Sequence, residues 1–403
     1  MERDERDRIG GDGRIPSDGR QRTASRRRLL GTGAALGAAA LAGCLGPFDG
    51  GDGGDGGTGT GSPELDTFRG SGAQVGGRPE LSGVRIDDLP PLEGSLDVYI
   101  GGGEGGLYLD LLEILQDVYP DFGVVPRQAP SAQLANTIIT EVEGGGSEAD
   151  LFWSIDAGSL GAVADAGATV QLPADVVENV PENFRPDRQW VGVAGRARSI
   201  PYNTEQFSAD EIPDDVMALA TDDRFSGGLG WAPTYGAFQA FVTAMRVLEG
   251  RETTKEWLEG ILDGGVTEYA NEFLVSDAAA VGETGAGFAN HYYALRVKAA
   301  RPSAPVDLAF TRGDAGALIN ASAVGVVEGT GKRELAQRLV RHLLTVEAQE
   351  FFATRTFAYP MVEDHPPVGG LPTIDELETP DLDLAKLSDV EPTLELLQEV
   401  GVL

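Results

Sequence analysis

Apolar and polar positions along the chain form a pattern that predicts strands and helices in turn. A short apolar run at 96–100 predicts a buried strand, and apolar residues at helical spacing in 107–118 predict an amphipathic helix. The same pattern predicts strands at 122–127, 150–154, 199–202 and 229–231, and helices at 131–143, 160–166, 236–248, 254–262, 292–300 and 333–352. This alternation predicts an α/β fold with a parallel sheet that carries helices on both faces.

Two α/β units joined by hinge strands leave a cleft between them, and ligand pockets favour such clefts. The glycine-rich turn at 101–106 precedes a helix, but neither a Gly-Lys-Ser/Thr nor a dinucleotide fingerprint follows it. We therefore interpret it as a ligand-facing turn at a helix N-terminus. The sequence offers no nucleophile elbow, HExxH motif or Ser/His/Asp arrangement, so we predict a binding protein and not an enzyme.

The first 44 residues carry the signs of an export signal. Arginines at 26–28 precede a short apolar run that ends in Leu-Ala-Gly-Cys at 41–44. A basic segment before a short apolar stretch is typical of a signal peptide, and this run is shorter than the roughly 20 residues that span a bilayer. The paired arginines indicate the twin-arginine route. Because 41–44 resembles a lipoprotein box, we predict a signal peptide at 1–44, lipidation of Cys44, and a lipid anchor to the extracellular face of the cell membrane.

The segment after the predicted signal is rich in glycine and aspartate, which are the only residue types at 50–57. Such polar, glycine-rich sequence cannot bury enough apolar surface to fold. We predict a flexible tether and a poorly structured lead-in over 45–94.

The charge balance excludes one class of partner. The 403 residues include 64 acidic and 31 basic side chains, for a net charge of −33, so nucleic acid is not an expected partner. Only four residues are lysine, and an acid-rich, lysine-poor chain is typical of proteins from salt-loving archaea, whose acidic surfaces stay hydrated. The net charge therefore does not indicate which ligand the protein binds. One cysteine and three histidines disfavour disulfides, thiolate metal sites and a histidine-rich zinc site.

Several ordered segments from about residue 96 to the C-terminus carry a family resemblance. They are 156–161 (DAGSLG), 191–198 (VGVAGRAR), 202–204 (YNT), 230–234 (GWAPT), 237–241 (AFQAF), 290–293 (NHYY), 313–318 (GDAGAL) and 359–360 (YP). Together they resemble the iron(III)-binding subunits of ABC transporters, the bacterial-transferrin type of periplasmic binding protein, here in a haloarchaeal lipoprotein form.

The resemblance implies a type II periplasmic-binding-protein fold, with a ligand cleft between two lobes joined by hinge strands. It implies a first lobe of 95–193 and 313–365, and a second lobe of 194–312 and 366–403. It also implies a function. We expect a monomer that captures ferric iron and delivers it to an ABC permease in the membrane.

The adjacent Tyr292 and Tyr293 are the iron ligands that the resemblance implies. Ferric iron is a hard cation that takes oxygen ligands, and phenolate is a strong oxygen donor. Neighbours on a strand point to opposite faces, whereas neighbours in the first turn of a helix lie roughly 100° apart and can both reach an ion beyond the helix end. Asn290 is a plausible N-cap for such a helix. Each phenol must lose a proton to bind, so iron affinity should depend on pH.

The other expected ligands depart from the family's pattern. Some members have a histidine in the first strand–helix turn, where this chain has Glu104. Others have a glutamate where this chain has Ile155, followed by Asp156. Glu104 and Asp156 are therefore candidate carboxylate ligands. A third candidate is Glu272, because the family's asparagine contact to a bound anion falls at Asn271 or Glu272.

The resemblance also implies a synergistic anion, carbonate or phosphate, that completes the iron shell. Its cradle is the start of a helix, where free backbone N–H groups face an anion, and an arginine can add a forked donor. The matching residues are Thr234, Tyr235, Gly236, Ala237, Asn290, Arg196 and Arg198. Tyr235 is also a candidate phenolate. The alternative function is an ABC solute-binding protein for an oxyanion or a small organic solute, with the tyrosines only lining the pocket.

Overall fold

The computed structural model describes residues 64–102, 105–363 and 365–403. The predicted signal peptide with Cys44, the glycine-rich tether and Glu104 lie outside these residues. Within them, no helix has both the length and the apolar character that crossing a membrane requires.

Twelve strands form one sheet in the described part of the chain. They are β1 (Gly94–Gly101), β2 (Phe122–Ala129), β3 (Leu151–Ser154), β4 (Thr169–Val170), β5 (Val191–Asn203), β6 (Leu229–Trp231), β7 (Thr267–Glu268), β8 (Ala286–Gly287), β9 (Ala289–Asn290), β10 (Val306–Ala309), β11 (Ile319–Val327) and β12 (Tyr359–Pro360).

Twelve α-helices accompany the sheet in the described part of the chain. The described helices are α1 (Leu65–Phe68), α2 (Gly105–Val118), α3 (Ser131–Glu143), α4 (Ala157–Asp165), α5 (Ala174–Val177), α6 (Gly236–Glu249), α7 (Arg251–Asp263), α8 (Glu272–Val281), α9 (His291–Ala300), α10 (Arg333–Leu343), α11 (Val346–Phe351) and α12 (Glu391–Glu399). A π-helix, Phe352–Thr356, follows α11 directly, and short 3-10 turns connect several elements.

The sheet is mixed, and the prediction of a parallel sheet is wrong for its centre. β1 pairs in parallel with β2 and β3, as the alternation of strands and helices predicts. However, β11 lies antiparallel between β3 and β5. This strand arrives from much later in the chain, so no local βαβ unit sets its direction.

The long strand β5 belongs to two groups of strands. Its first part, up to Ala197, pairs with β11, and its last four residues pair with β10. The strand order β2-β1-β3-β11-β5-β8-β6-β7 therefore runs continuously through β5. All thirteen residues of β5 are buried, which makes it the central support for the side chains that project from it.

Two segments differ from their predictions. The predicted helix at 333–352 is interrupted, because the Thr345 side chain accepts a hydrogen bond from the Ala348 N–H (3.5 Å) and starts a new helix. Residues 64–93, expected to be poorly structured, pack onto the body with Phe68 and Leu92 fully buried. These apolar anchors follow no helical or strand period, which is why the sequence pattern does not indicate them.

Candidate functional site

Tyr292 and Tyr293 lie in the first turn of α9, as predicted. Both rings are buried, with 2% and 6% of their surface exposed, and their centroids lie 4.4 Å apart. Asn290 occupies the predicted N-cap position, but its side chain does not cap the helix. Its Nδ2 instead donates a hydrogen bond to the Tyr292 hydroxyl oxygen (3.1 Å). The pair is therefore oriented by the residue that precedes the helix.

Tyr235 joins this pair from a different helix. It is the N-cap residue of α6, and its hydroxyl oxygen lies 2.5 Å from the Tyr293 hydroxyl oxygen. Metal–oxygen bonds of about 2.0–2.2 Å put neighbouring ligands roughly 3 Å apart, so oxygens this close can serve one ion. Tyr235 is predicted both as a residue of the anion cradle and as a candidate phenolate, and the structure brings its hydroxyl to that of Tyr293.

A buried ion pair holds the strand that leads into α9. Arg198 on β5 is the register partner of Asn290 on β9. Its Nη1 donates to Glu272 Oε1 and lies 3.4 Å from Asn290 Oδ1. The second carboxylate oxygen of Glu272 accepts the Asn290 backbone N–H (2.9 Å). Both oxygens of this predicted iron ligand are thus engaged within a side chain that is 0% exposed.

His291 makes its hydrogen bonds to the backbone of other segments. Its ring is fully buried, and its Nε2–H donates to the Phe357 carbonyl (2.7 Å). Its Nδ1 lies 3.2 Å from the Ala197 backbone nitrogen, whose N–H it accepts, and 3.3 Å from the Ala197 carbonyl oxygen. Burial lowers the pKa of His291 to about 4, so the ring is neutral at neutral pH. In the sequence, His291 stands out only as part of the NHYY segment at 290–293, and the sequence predicts no role for it.

A cleft of about 1130 Å³ lies beside the tyrosine cluster. Tyr235, Gly236 and Ala237 from the start of α6 line it, together with Arg196 from β5. The start of α6 has no side-chain cap, so its first backbone N–H groups can face a ligand. Thr234, the other predicted cradle residue, is exposed.

Asp156 lies on the same cleft, but its carboxylate already has partners. It is the N-cap of α4, where Oδ1 accepts the Ser159 N–H (2.6 Å) and Oδ2 accepts the Ser159 hydroxyl (3.0 Å). Glu104 lies outside the described residues, although the neighbouring Gly102 lines the cleft. In the described part of the chain, no group of three or more His, Cys, Asp or Glu residues could hold a metal ion.

Comparison with known proteins places these features in a family. The family model described as bacterial extracellular solute-binding protein matches residues 110–350. The major ferric iron-binding protein of Neisseria meningitidis is 29% identical over 284 residues, which cover 68% of this chain and 84% of that protein. The Fe(3+)-binding periplasmic protein of Serratia marcescens is 27% identical over 285 residues, which cover 70% of this chain and 83% of that protein.

Solved structures show the same fold. Iron-bound HitA from Pseudomonas aeruginosa matches with a TM-score of 0.66 and 27% identity, over 76% of this chain and 99% of that chain. A Trichodesmium protein solved with iron and citrate ligands matches with a TM-score of 0.66 and 23% identity, over 77% of this chain and 100% of that chain. These similarities confirm the type II periplasmic-binding-protein fold and the prediction of a solute-binding protein rather than an enzyme.

Proposed function

We propose that this chain, which belongs to the family of bacterial extracellular solute-binding proteins, captures ferric iron through tyrosine phenolates and delivers it to an ABC permease. The observation that carries the proposal is the tyrosine cluster, in which Tyr292 and Tyr293 are buried and Tyr235 is partly buried. The Tyr235 and Tyr293 hydroxyl oxygens lie 2.5 Å apart, and the Tyr292 ring lies beside that of Tyr293. The names of the curated relatives from Neisseria and Serratia, both ferric iron-binding proteins, support the same cargo.

The chemistry of ferric iron matches this cluster. A small, highly charged ion prefers hard oxygen donors over thiolates, and the chain has a single cysteine. We assign Tyr292, Tyr293 and Tyr235 as phenolate ligands, each of which loses its proton as iron binds. The hydrogen bond from Asn290 to the Tyr292 oxygen orients that ligand in the way that outer-shell groups orient metal ligands.

Carboxylates supply the remaining protein oxygens in this proposal. Asp156 shares the cleft with Tyr235, although it would have to give up its cap of α4 to reach the ion. Glu104, which lies outside the described residues, is the second candidate on the sequence alone. Glu272 is engaged by Arg198 and Asn290, so we now assign it to holding Asn290 in place rather than to iron.

A small anion, carbonate or phosphate, would complete the iron shell. The uncapped start of α6 and the side chain of Arg196 line the cleft and favour negative charge. Arg198 adds a buried Nη2 that has no hydrogen-bond partner among the described residues. Thr234, which is exposed and precedes this helix start, is the remaining predicted contact.

Lobe closure over the ion would produce the form that docks on the permease. The lobe boundaries at 193/194, 312/313 and 365/366 remain our proposal, which the passage of β5 through both strand groups supports. The monomeric state, the twin-arginine export, the lipid anchor at Cys44 and the origin in a salt-loving archaeon rest on the sequence alone.

Equilibrium dialysis of the purified chain against ferric citrate tests the cargo. We expect the wild type to bind about one iron per chain, because it has one tyrosine cluster. The Tyr292→Phe/Tyr293→Phe variant should bind none, and its circular dichroism spectrum should be unchanged. A chain that retains phosphate but no iron would instead support the oxyanion alternative.

A further inference from the structure

We propose that His291 is a positioning residue of the tyrosine cluster. Its ring fixes the first turn of α9, and with it Tyr292 and Tyr293, to β5 on one side and to the turn at Phe357 on the other. The effect of His291 on iron binding rests on the proposed function. Its effect on the positions of the Tyr292 and Tyr293 rings does not.

The two ring nitrogens of His291 point to different parts of the chain. On one side, the Ala197 backbone N–H donates to Nδ1 (3.2 Å) from the middle of β5. On the other side, Nε2–H donates to the Phe357 carbonyl (2.7 Å). The Phe357 carbonyl can only accept, so Nε2 carries the proton, and in the neutral ring Nδ1 is then the acceptor for the Ala197 N–H, although the Ala197 carbonyl oxygen also lies 3.3 Å from Nδ1. The residue next to Tyr292 is thereby held on two sides.

The Phe357 carbonyl is itself held in an unusual backbone. Phe357 has a φ of 60°, in the left-handed region that a non-glycine residue rarely adopts, and it ends the π-helix Phe352–Thr356. Such residues persist only where the surroundings determine their conformation, and π-helices are frequent at functional sites. We infer that the left-handed conformation of Phe357 directs its carbonyl oxygen toward His291.

The packed lead-in supports this π-helix from outside. The Gly70 N–H donates to Thr354 Oγ1 (2.8 Å), and Arg355 Nε donates to the Phe68 carbonyl (3.0 Å). The π-helix that ends at Phe357 is therefore held by the lead-in as well as by the packing of Phe357 against Tyr292 and Tyr293.

Packing alone does not account for His291. Its ring centroid lies 4.6 Å from that of Tyr359 and 5.5 Å from that of Tyr292, which an apolar side chain of similar size would also satisfy. Such a side chain would lose both hydrogen bonds and leave the Ala197 N–H buried without its partner. Direct iron ligation is excluded as well, since both nitrogens are used and the ring is fully buried.

The test compares His291→Leu and His291→Gln in the full chain labelled with 3-fluorotyrosine. Fluorine NMR of the iron-free protein reports the rings directly, with Tyr292→Phe and Tyr293→Phe assigning the signals. We expect His291→Leu to move both signals while those of Tyr99 and Tyr119 stay in place. His291→Gln keeps a donor and an acceptor and should move them less. In competition with EDTA, His291→Leu should hold iron about 10- to 100-fold more weakly, the usual cost of losing a group that positions metal ligands.

Unchanged Tyr292 and Tyr293 signals in a folded His291→Leu variant would overturn the proposal. If that variant does not fold, His291→Phe decides, because it keeps an aromatic ring beside Tyr359 but neither hydrogen bond. Shifted Tyr292 and Tyr293 signals then support the positioning role, and signals of both tyrosines that overlay those of the wild type overturn it. Shifted signals in a chain whose wild type takes up no iron would keep the positioning role and overturn the iron function.

Discussion

The hydroxyl oxygens of Tyr235 and Tyr293 lie 2.5 Å apart, although 58 residues separate the two tyrosines along the chain. Tyr235 is the N-cap residue of α6, and Tyr293 lies in the first turn of α9. Two helix N-termini thus converge on one pair of phenols, and the positive end of a helix favours negative charge nearby. This convergence is the basis of the proposed oxygen site in a chain that has one cysteine and three histidines.

Replacing Tyr235 by phenylalanine tests whether this contact belongs to the iron site. Tyr235→Phe removes one phenol and leaves the neighbouring pair intact, so the chain should still colour with iron but hold it at least about tenfold more weakly. Competition with a chelator of known iron affinity measures the change. Tyr269→Phe is the matched control, because it also removes one hydroxyl, and it should bind iron like the wild type. Equal affinity in Tyr235→Phe would remove this residue from the site.

The pH dependence of iron binding counts the phenolates. Free phenols have pKa values near 10, so each tyrosine that binds iron near neutral pH releases about one proton. With three phenolates, apparent affinity should fall by about 1000-fold for each unit that the pH is lowered, and by about 100-fold in Tyr235→Phe. Chelator competition between pH 6 and 8, corrected for protonation of the chelator, measures both slopes. Identical slopes would mean that Tyr235 keeps its proton.

The Arg198–Glu272 pair should matter for stability as well as for the site. Glu272→Gln leaves a buried guanidinium without its counter-charge, and breaking such a pair typically costs about 3–5 kcal/mol. Replacing both partners by apolar residues should cost less than Glu272→Gln alone, because no charge is then left buried. Urea unfolding of the single and double variants measures both effects. Glu399→Gln, which weakens exposed ion pairs with Arg251 and Lys255, is the control and should change little.

If Glu272→Gln is as stable as Glu399→Gln, the buried pair does not stabilise the fold. If Glu272→Gln instead keeps full stability and loses iron entirely, Glu272 would return as a direct ligand, as the sequence analysis predicted.

Buried histidines should make the fold sensitive to mild acid. Burial lowers the pKa of His291 and of His342 to about 4, against about 6.5 in an unfolded chain. Between these values only the unfolded state binds the proton, so the free energy of unfolding falls as the pH falls from about 6.5 toward 4. The loss is roughly 2 kcal/mol per histidine at pH 5. Urea unfolding at pH 7.5 and pH 5 should show a smaller loss for His342→Gln than for the wild type, and an equal loss would contradict this account.

Local patterns predicted local structure well. The helix at 131–143 and the strand at 229–231 have the predicted ends, because apolar spacing and turn residues mark them within the segment itself. The antiparallel β11 could not be predicted in this way, since its partners β3 and β5 come from earlier in the chain. The packed lead-in escaped prediction for the same reason, because Phe68 and Leu92 are buried by tertiary contacts alone.

In the candidate site, too, some features follow from a single segment of sequence and others depend on tertiary contacts. The position of Tyr292 and Tyr293 at a helix start follows from their own segment, and the structure has them there. The contact between Tyr235 and Tyr293 depends on how α6 and α9 converge, which neither segment encodes. The ion pair of Glu272 likewise does not follow from its own segment, because its partner Arg198 lies on a distant strand. Residue types therefore indicated the chemistry, and only the fold indicated which of those residues meet.

The visible absorption spectrum of the purified chain with ferric citrate tests the central claim most directly. Phenolate-to-iron charge transfer should give a red-orange colour, because tyrosine oxygens bind the metal. Tyr292→Phe/Tyr293→Phe should bleach it while circular dichroism shows an unchanged fold. A colourless wild-type chain whose thermal stability does not change with iron, or a double variant that stays coloured, would contradict the account.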